Sequence, residues 1–223
     1  MHQHWQAVLD LLDVLAYRLK SADPDGLELF FSMSEGGVKK KHTKQCLEAV
    51  TWKKPNVHTE RISNIAIRLS SILGEYEKKL RKQPSKVSSL FSKSKQSELR
   101  PMNLYVFTDG KWQPDSEPDG PIRSLVKTLV EVNKLSGQVG IQLIQFGNDP
   151  QGSANLRWLD SELGIKPDIV DTEPANGNFW KILLGATNKW FDNSDVPQYA
   201  NGSANTGAGA SQGPSEMPTH RYG

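Results

Sequence analysis

Apolar residues recur at helical spacing in the first segment of the chain. Trp5, Val8, Leu9, Leu12, Leu15, Ala16 and Leu19 fall three and four residues apart, while Gln6, Asp10, Asp13 and Lys20 take the other positions. This pattern predicts an amphipathic helix over 4–20. Asp23, Pro24, Asp25 and Gly26 form a turn signal. The segment 27–31 then predicts a short buried strand that Gly36 and Gly37 close off. A short helix is expected over 43–51, capped by Thr43. A second long helix is expected to start at Thr59 and to carry Ile62, Ile65, Ala66, Leu69, Ile72, Leu73, Tyr76 and Leu80 on one stripe.

The second half alternates strand and helix. Leu104, Tyr105, Val106 and Phe107 make a β-forming run that stops at Thr108, Asp109 and Gly110. Pro121 suits the first turn of a helix reaching about residue 135, with Ile122, Leu125, Val126, Leu129 and Val130 inward and Gly137 at its end. The run 139–146 predicts the strongest strand. After a turn at Asn148, Asp149 and Pro150 come a helix over 154–163, a short strand over 168–170 and a last helix over 178–191. Such alternation predicts an α/β fold: a doubly wound, mostly parallel sheet flanked by helices. Ligands of such sheets sit beyond the carboxyl ends of the strands, so the loops 32–37, 108–112, 147–150 and 171–177 are the places to search.

Composition changes the picture at two places. Only 36% of the 223 residues are hydrophobic, and the shortfall is concentrated. The stretch 83–98 is rich in Ser and Lys and reads as a flexible insertion. From 193 to 223 the chain is Gly, Ser, Asn, Ala and Pro with few large apolar residues, which predicts a disordered tail. The folded domain is therefore expected over 1–192. Charge is uneven as well. Residues 1–101 carry 18 basic and 11 acidic side chains, a net of +7, whereas 102–223 carry 9 basic and 14 acidic, a net of −5. The basic excess lies around 39–44 and 78–100. Phe91 is the one aromatic residue interleaved there, too few to stack successive bases, so nucleic acid is not the expected partner. A lone Cys46 excludes a disulfide framework within the chain and a multi-cysteine zinc site, and points to a reducing, cytoplasmic setting. No apolar run is long enough to span a membrane.

Among candidate chemistries, Asp109 stands out. It follows a buried strand directly, so its carboxylate can hold a hard divalent cation or act as an acid or base. Equally, Asp109-Gly110 can be a plain reversing turn. Thr108, Gly110 and Trp112 form the candidate rim of a pocket beside it. Glycine-rich phosphate loops are missing from the sequence, and no G-x-S-x-G elbow for a serine hydrolase occurs within 1–192; the one match, Gly209 to Gly213, falls in the Gly/Ser-rich tail and not between a strand and a helix. The five histidines have no zinc-protease spacing, and Cys46 with His42 four residues earlier reads as an inert thiol.

The segment Leu104-Tyr105-Val106-Phe107-Thr108-Asp109-Gly110-Lys111-Trp112 resembles the fourth core strand of von Willebrand factor type A (vWA) domains. The stretches 139–149, 156–160, 168–172 and 178–186 are similar to a fungal branch of that family. His4-Trp5 and Asp25-Gly26-Leu27-Glu28-Leu29 resemble its first helix and second strand. The resemblance spans about residues 1–192 and implies a Rossmann-like vWA fold. It also implies a metal-ion-dependent adhesion site for Mg²⁺ or another divalent cation, built from an Asp-x-Ser-x-Ser run, a threonine and a later aspartate. Asp109 matches that aspartate. Thr59 matches the threonine, with Thr51 nearby. No Asp-x-Ser-x-Ser run precedes His4-Trp5. The resemblance therefore implies an N-terminally truncated domain whose central first strand is missing and whose metal affinity is weak or absent.

The function expected on these grounds is a non-enzymatic interaction module with a protein partner and a partial metal site. Two alternatives stay open: a metal-dependent hydrolase using Asp109, and an anionic-lipid or nucleic-acid binder acting through 78–100.

Overall fold

The computed structural model describes residues 1–23, 25–34, 36–53, 63–83, 99–134 and 137–187. Thr59, nearly all of the insertion 83–98 and the tail 193–223 lie outside the described residues. The elements, in chain order, are α1 (Trp5–Leu19), β1 (Leu27–Phe30), β2 (Gly37–Lys40), α2 (Thr43–Thr51), α3 (Ile65–Arg81), β3 (Met102–Thr108), α4 (Asp119–Glu131), β4 (Val139–Gln145), α5 (Pro150–Arg157), β5 (Val170–Pro174) and α6 (Phe179–Leu184). A π-helical turn, Trp158–Glu162, prolongs α5. No described helix is long and apolar enough to cross a membrane.

Strands β3, β4 and β5 form a three-stranded parallel sheet in that order. Its side chains alternate between two cores, as the two-residue period of a strand requires. On one face Met102, Leu104 and Val106 of β3 and Val139, Ile141 and Leu143 of β4 meet Leu69, Leu73, Tyr76 and Leu80 of α3 and Ile122, Leu125, Val126 and Leu129 of α4. On the other, Tyr105, Phe107, Ile144 and Phe146 join Val8, Leu12 and Leu15 of α1, Val50 of α2 and Ile182 of α6. The chain is thus mixed α/β, with helices flanking a parallel sheet.

The segment 27–31 does not enter this sheet. β1 pairs antiparallel with β2 in a separate two-stranded sheet, with Leu29 opposite Val38 and Glu28 opposite Lys39. β3 is therefore an edge. The Met102 N–H donates to the Gln138 carbonyl, and the Phe146 N–H donates to the Thr108 carbonyl. In a parallel ladder the pointing direction alternates along the strand. Met102, Leu104, Val106 and Thr108 thus face β4, and the N–H and C=O groups of Asn103, Tyr105 and Phe107 face the other way. No strand among the described residues pairs with them. At the amino end of β3, Arg100 bridges to Asp23 at 3.1 Å and Asp25 at 2.9 Å, so the hairpin is held to the main sheet by side chains.

Several helix ends differ from the sequence expectation. The long helix is capped by Asn64, not Thr59. Asn64 Oδ1 accepts from the Ile67 N–H, and Ser116 Oγ accepts from the Ala66 N–H. Thr43 opens α2 as its first helical residue; His42 holds the cap position without a side-chain bond. α4 stops at Glu131 instead of running on to Gly137. Asn133, at φ 56°, ends it by letting its own N–H reach the Val130 carbonyl and the Lys134 N–H reach the Leu129 carbonyl, the paired bonds of a Schellman motif. α5 starts at Pro150 because Asp149 accepts from the Gly152 N–H at 3.0 Å.

Tyr105 is one partly buried polar group with a measurable consequence. Its hydroxyl donates to the Leu183 carbonyl at 2.8 Å. Burial pushes its pKa up to about 12, against a smaller lowering by the Asn103 side chain. The native state therefore holds this proton where the unfolded chain releases it. Stability is fully present below pH 10, the ordinary tyrosine value, and falls as pH rises from there toward 12. Tyr105→Phe is expected to flatten the fall in urea midpoint across that window. An unchanged pH profile would show that Tyr105 does not cause it.

Candidate functional site

The carboxyl end of the parallel sheet is built around Asp109, the residue that follows β3. Local bonds fix its position. Thr108 is buried, and its hydroxyl oxygen accepts the Gly110 N–H at 3.0 Å. Asp109 Oδ1 accepts the Lys111 N–H at 3.2 Å. Both are short side-chain-to-backbone turns of the kind Thr and Asp favour. They turn the chain at once away from the strand and leave the Asp109 carboxylate partly exposed.

The other Asp109 oxygen, Oδ2, accepts from the Met1 ammonium at 2.7 Å. The start of the chain therefore sits on the end of β3. His4 lies close by, with its imidazole packed over Gly147, where φ is +82° and a β-carbon would meet Nε2 at 2.7 Å. Gly110, at φ +75°, is pressed against the backbone of Gly152, and Gly152 in turn against the carbonyl of Asp109. This close approach brings the β3 loop onto the first turn of α5. Asn155 strengthens it by donating its Nδ2 to the Gly110 carbonyl at 3.0 Å.

A second ion pair closes the end of the sheet. Lys111 Nζ lies 2.6 Å from Asp149 Oδ2. The hydrogen bond from Lys111 and that from the Gly152 N–H hold the Asp149 carboxyl below its ordinary value, while Asp149 raises the Lys111 ammonium. Deeper in, Gln145 Nε2 donates to Ser153 Oγ at 2.6 Å.

The structure thus brings together Asp109, Thr108 and Gly110. It places Trp112 elsewhere: its side chain is partly buried and packs on the α3–α4 core. Thr59 lies outside the described residues. Thr51 turns its hydroxyl back to donate to the Leu47 carbonyl at 2.8 Å. Met1, Lys111 and Asp149 were not among the sequence candidates, although each touches Asp109 or its loop.

A hard divalent cation asks for about six oxygen ligands. Near Asp109 the described residues offer its own carboxylate, already shared with an ammonium and an amide, and a threonine hydroxyl taken up by Gly110. Among the described residues no group of three or more His, Cys, Asp and Glu side chains is placed to hold a metal ion. Cys46 is buried, and burial pushes its thiol pKa up, with partial relief from Lys40, so the neutral thiol predominates.

Comparison of the chain with protein-family models, with curated proteins and with solved structures found no match.

Proposed function

We propose that the chain is a non-enzymatic, vWA-like protein-interaction module whose cation site is reduced to Asp109. The observation that carries the reading is the place of this carboxylate: partly exposed, at the carboxyl end of a parallel strand, in a sheet flanked by helices. A partner bearing an ammonium or guanidinium group could take the position that the Met1 amino group holds on Asp109 Oδ2. Divalent ions compete for the same oxygen, with few further ligands to help them.

Calorimetric titration of the full chain with Mg²⁺ and Mn²⁺ tests the metal part. Affinity of about millimolar or weaker is expected, the low end for oxygen-ligand sites, and Asp109→Ala should abolish the response. Equal heats from the two proteins would remove Asp109 from the site. Turnover of a phosphate or ester substrate, lost in Asp109→Asn, would replace the module reading with that of a hydrolase.

A further inference from the structure

Strand β3 lies at the edge of the parallel sheet, yet both of its faces pack on helices. Met102, Leu104 and Val106 join the core with α3 and α4, and Tyr105 and Phe107 join the core with α1. None of these side chains is fully buried, and Asn103 is exposed. The β4 residues opposite them, from Val139 to Ile144, are all buried. β4 has a strand on each side, whereas among the described residues β3 has one on a single side.

The chemistry of this edge states what fits it. The outward N–H and C=O groups recur at Asn103, Tyr105 and Phe107, a two-residue repeat that another extended backbone complements. Helices cover the sheet on both faces, so an incoming strand must be apolar on both. A strand with one polar face would bring polar side chains against one of the two cores. β3 itself meets the requirement, and it carries no charged residue from Met102 to Thr108. Two copies also fit in register. With a two-fold axis at Tyr105, normal to the sheet, the strands run antiparallel. Tyr105 then meets Tyr105, Asn103 meets Phe107, and Leu104 meets Val106. Every residue with outward groups lies opposite another such residue, and pairs of this kind exchange both of their hydrogen bonds. The axis also keeps each core beside its own kind, as a self-complementary contact requires.

We propose that β3 is a self-association surface: two copies of the chain pair antiparallel along Met102–Thr108 and join their three-stranded sheets into one. The contact uses the backbone of β3 and not the Asp109 carboxylate.

Sedimentation equilibrium of the full chain from about 1 to 200 micromolar tests the pairing. A monomer–dimer equilibrium with a dissociation constant in the micromolar range is expected, the weak end for a contact of modest size. Asn103→Pro removes an N–H that points away from β4, a place where an edge strand accepts proline. Each dimer then loses a hydrogen bond at either end, and the dissociation constant should rise about 30-fold. Asn103→Ser keeps that N–H and should dimerise like the parent. Hydrogen exchange supplies a second measurement that needs no substitution. The amides of Asn103, Tyr105 and Phe107 should slow as the concentration passes through the dissociation constant, while those of Leu104 and Val106, which face β4, stay protected throughout. A monomer at every concentration would overturn the proposal. A dimer in which the three outward amides exchange as fast as in dilute solution would also overturn it, because another surface would then hold the copies together. So would a folded Asn103→Pro variant that dimerises as tightly as the parent.

Discussion

Leu143→Ala is expected to lower the free energy of unfolding by about 3–5 kcal/mol, the range for truncating a fully buried leucine. Leu143 is 0% exposed and sits on β4, the strand with neighbours on both sides. Its side chain joins the core formed with α3 and α4. A strand paired on both edges cannot collapse into the space left behind, so most of the cavity persists. For a domain holding about 5–15 kcal/mol in all, the loss is a large share. Urea unfolding followed by circular dichroism measures it, with Ile67→Ala as a control. Ile67 is 69% exposed, and its truncation should stay within about 0.5 kcal/mol. Equal effects of the two substitutions would mean that the α3–α4 core does not carry the fold.

Gly110→Ala is expected to cost about 3 kcal/mol or more. Two causes act together. The residue holds φ at +75°, and its β-carbon would enter the backbone of Gly152. Left-handed strain alone is worth about 1–3 kcal/mol, and the backbone contact can be relieved only by moving the β3 loop off α5. The movement would also break the Asn155 bond to the Gly110 carbonyl and shift Asp109 away from its partners. A urea midpoint within measurement error of the parent would show that this loop tolerates an ordinary residue and that Asp109 is not held by it.

How much was legible before the structure depended on what kind of interaction defined each feature. Strands β3 and β4 are rich in apolar, β-forming residues, and their extents are close to those read from the sequence. The stripes on α1 and α3 were equally plain, because burial imposes a period that survives in one dimension; on α4 Ile122, Leu125, Val126 and Leu129 turn inward as read, but Val130, expected inward, is 51% exposed and Thr128 is buried instead. Caps were less so. Thr59 and Asn64 are both competent cap residues by type, and the choice fell to Asn64, which Ser116 supports from 52 positions away. Gly137 looked like the end of α4, but Asn133 reached the left-handed conformation first. Asp149 followed by Pro150 did carry a start signal for α5, a cap residue with proline in the first turn, and reading it as a turn alone hid the first part of that helix. β2 escaped notice because Gly37, Val38, Lys39 and Lys40 hold a single apolar residue, and its pairing with β1 is backbone chemistry that side-chain pattern does not record. At the site, the position of Asp109 at a strand end followed from the run before it. Its link to Met1 joins the two ends of a 108-residue separation, and its neighbour Lys111 meets Asp149 across two loops. Contacts of that range exist only once the sheet has assembled.

The side of β3 that no described strand pairs has a further meaning for how the molecule behaves in company. Met102–Thr108 has no lysine, no proline and no bulge along its length, the devices by which proteins discourage their sheets from growing. Its outward amides and carbonyls form a short template that any extended, uncharged segment can copy. A molecule that keeps its cores intact can then still recruit another along that line. A single cation placed at Asn103 or Tyr105 would turn this inviting border into a guarded one.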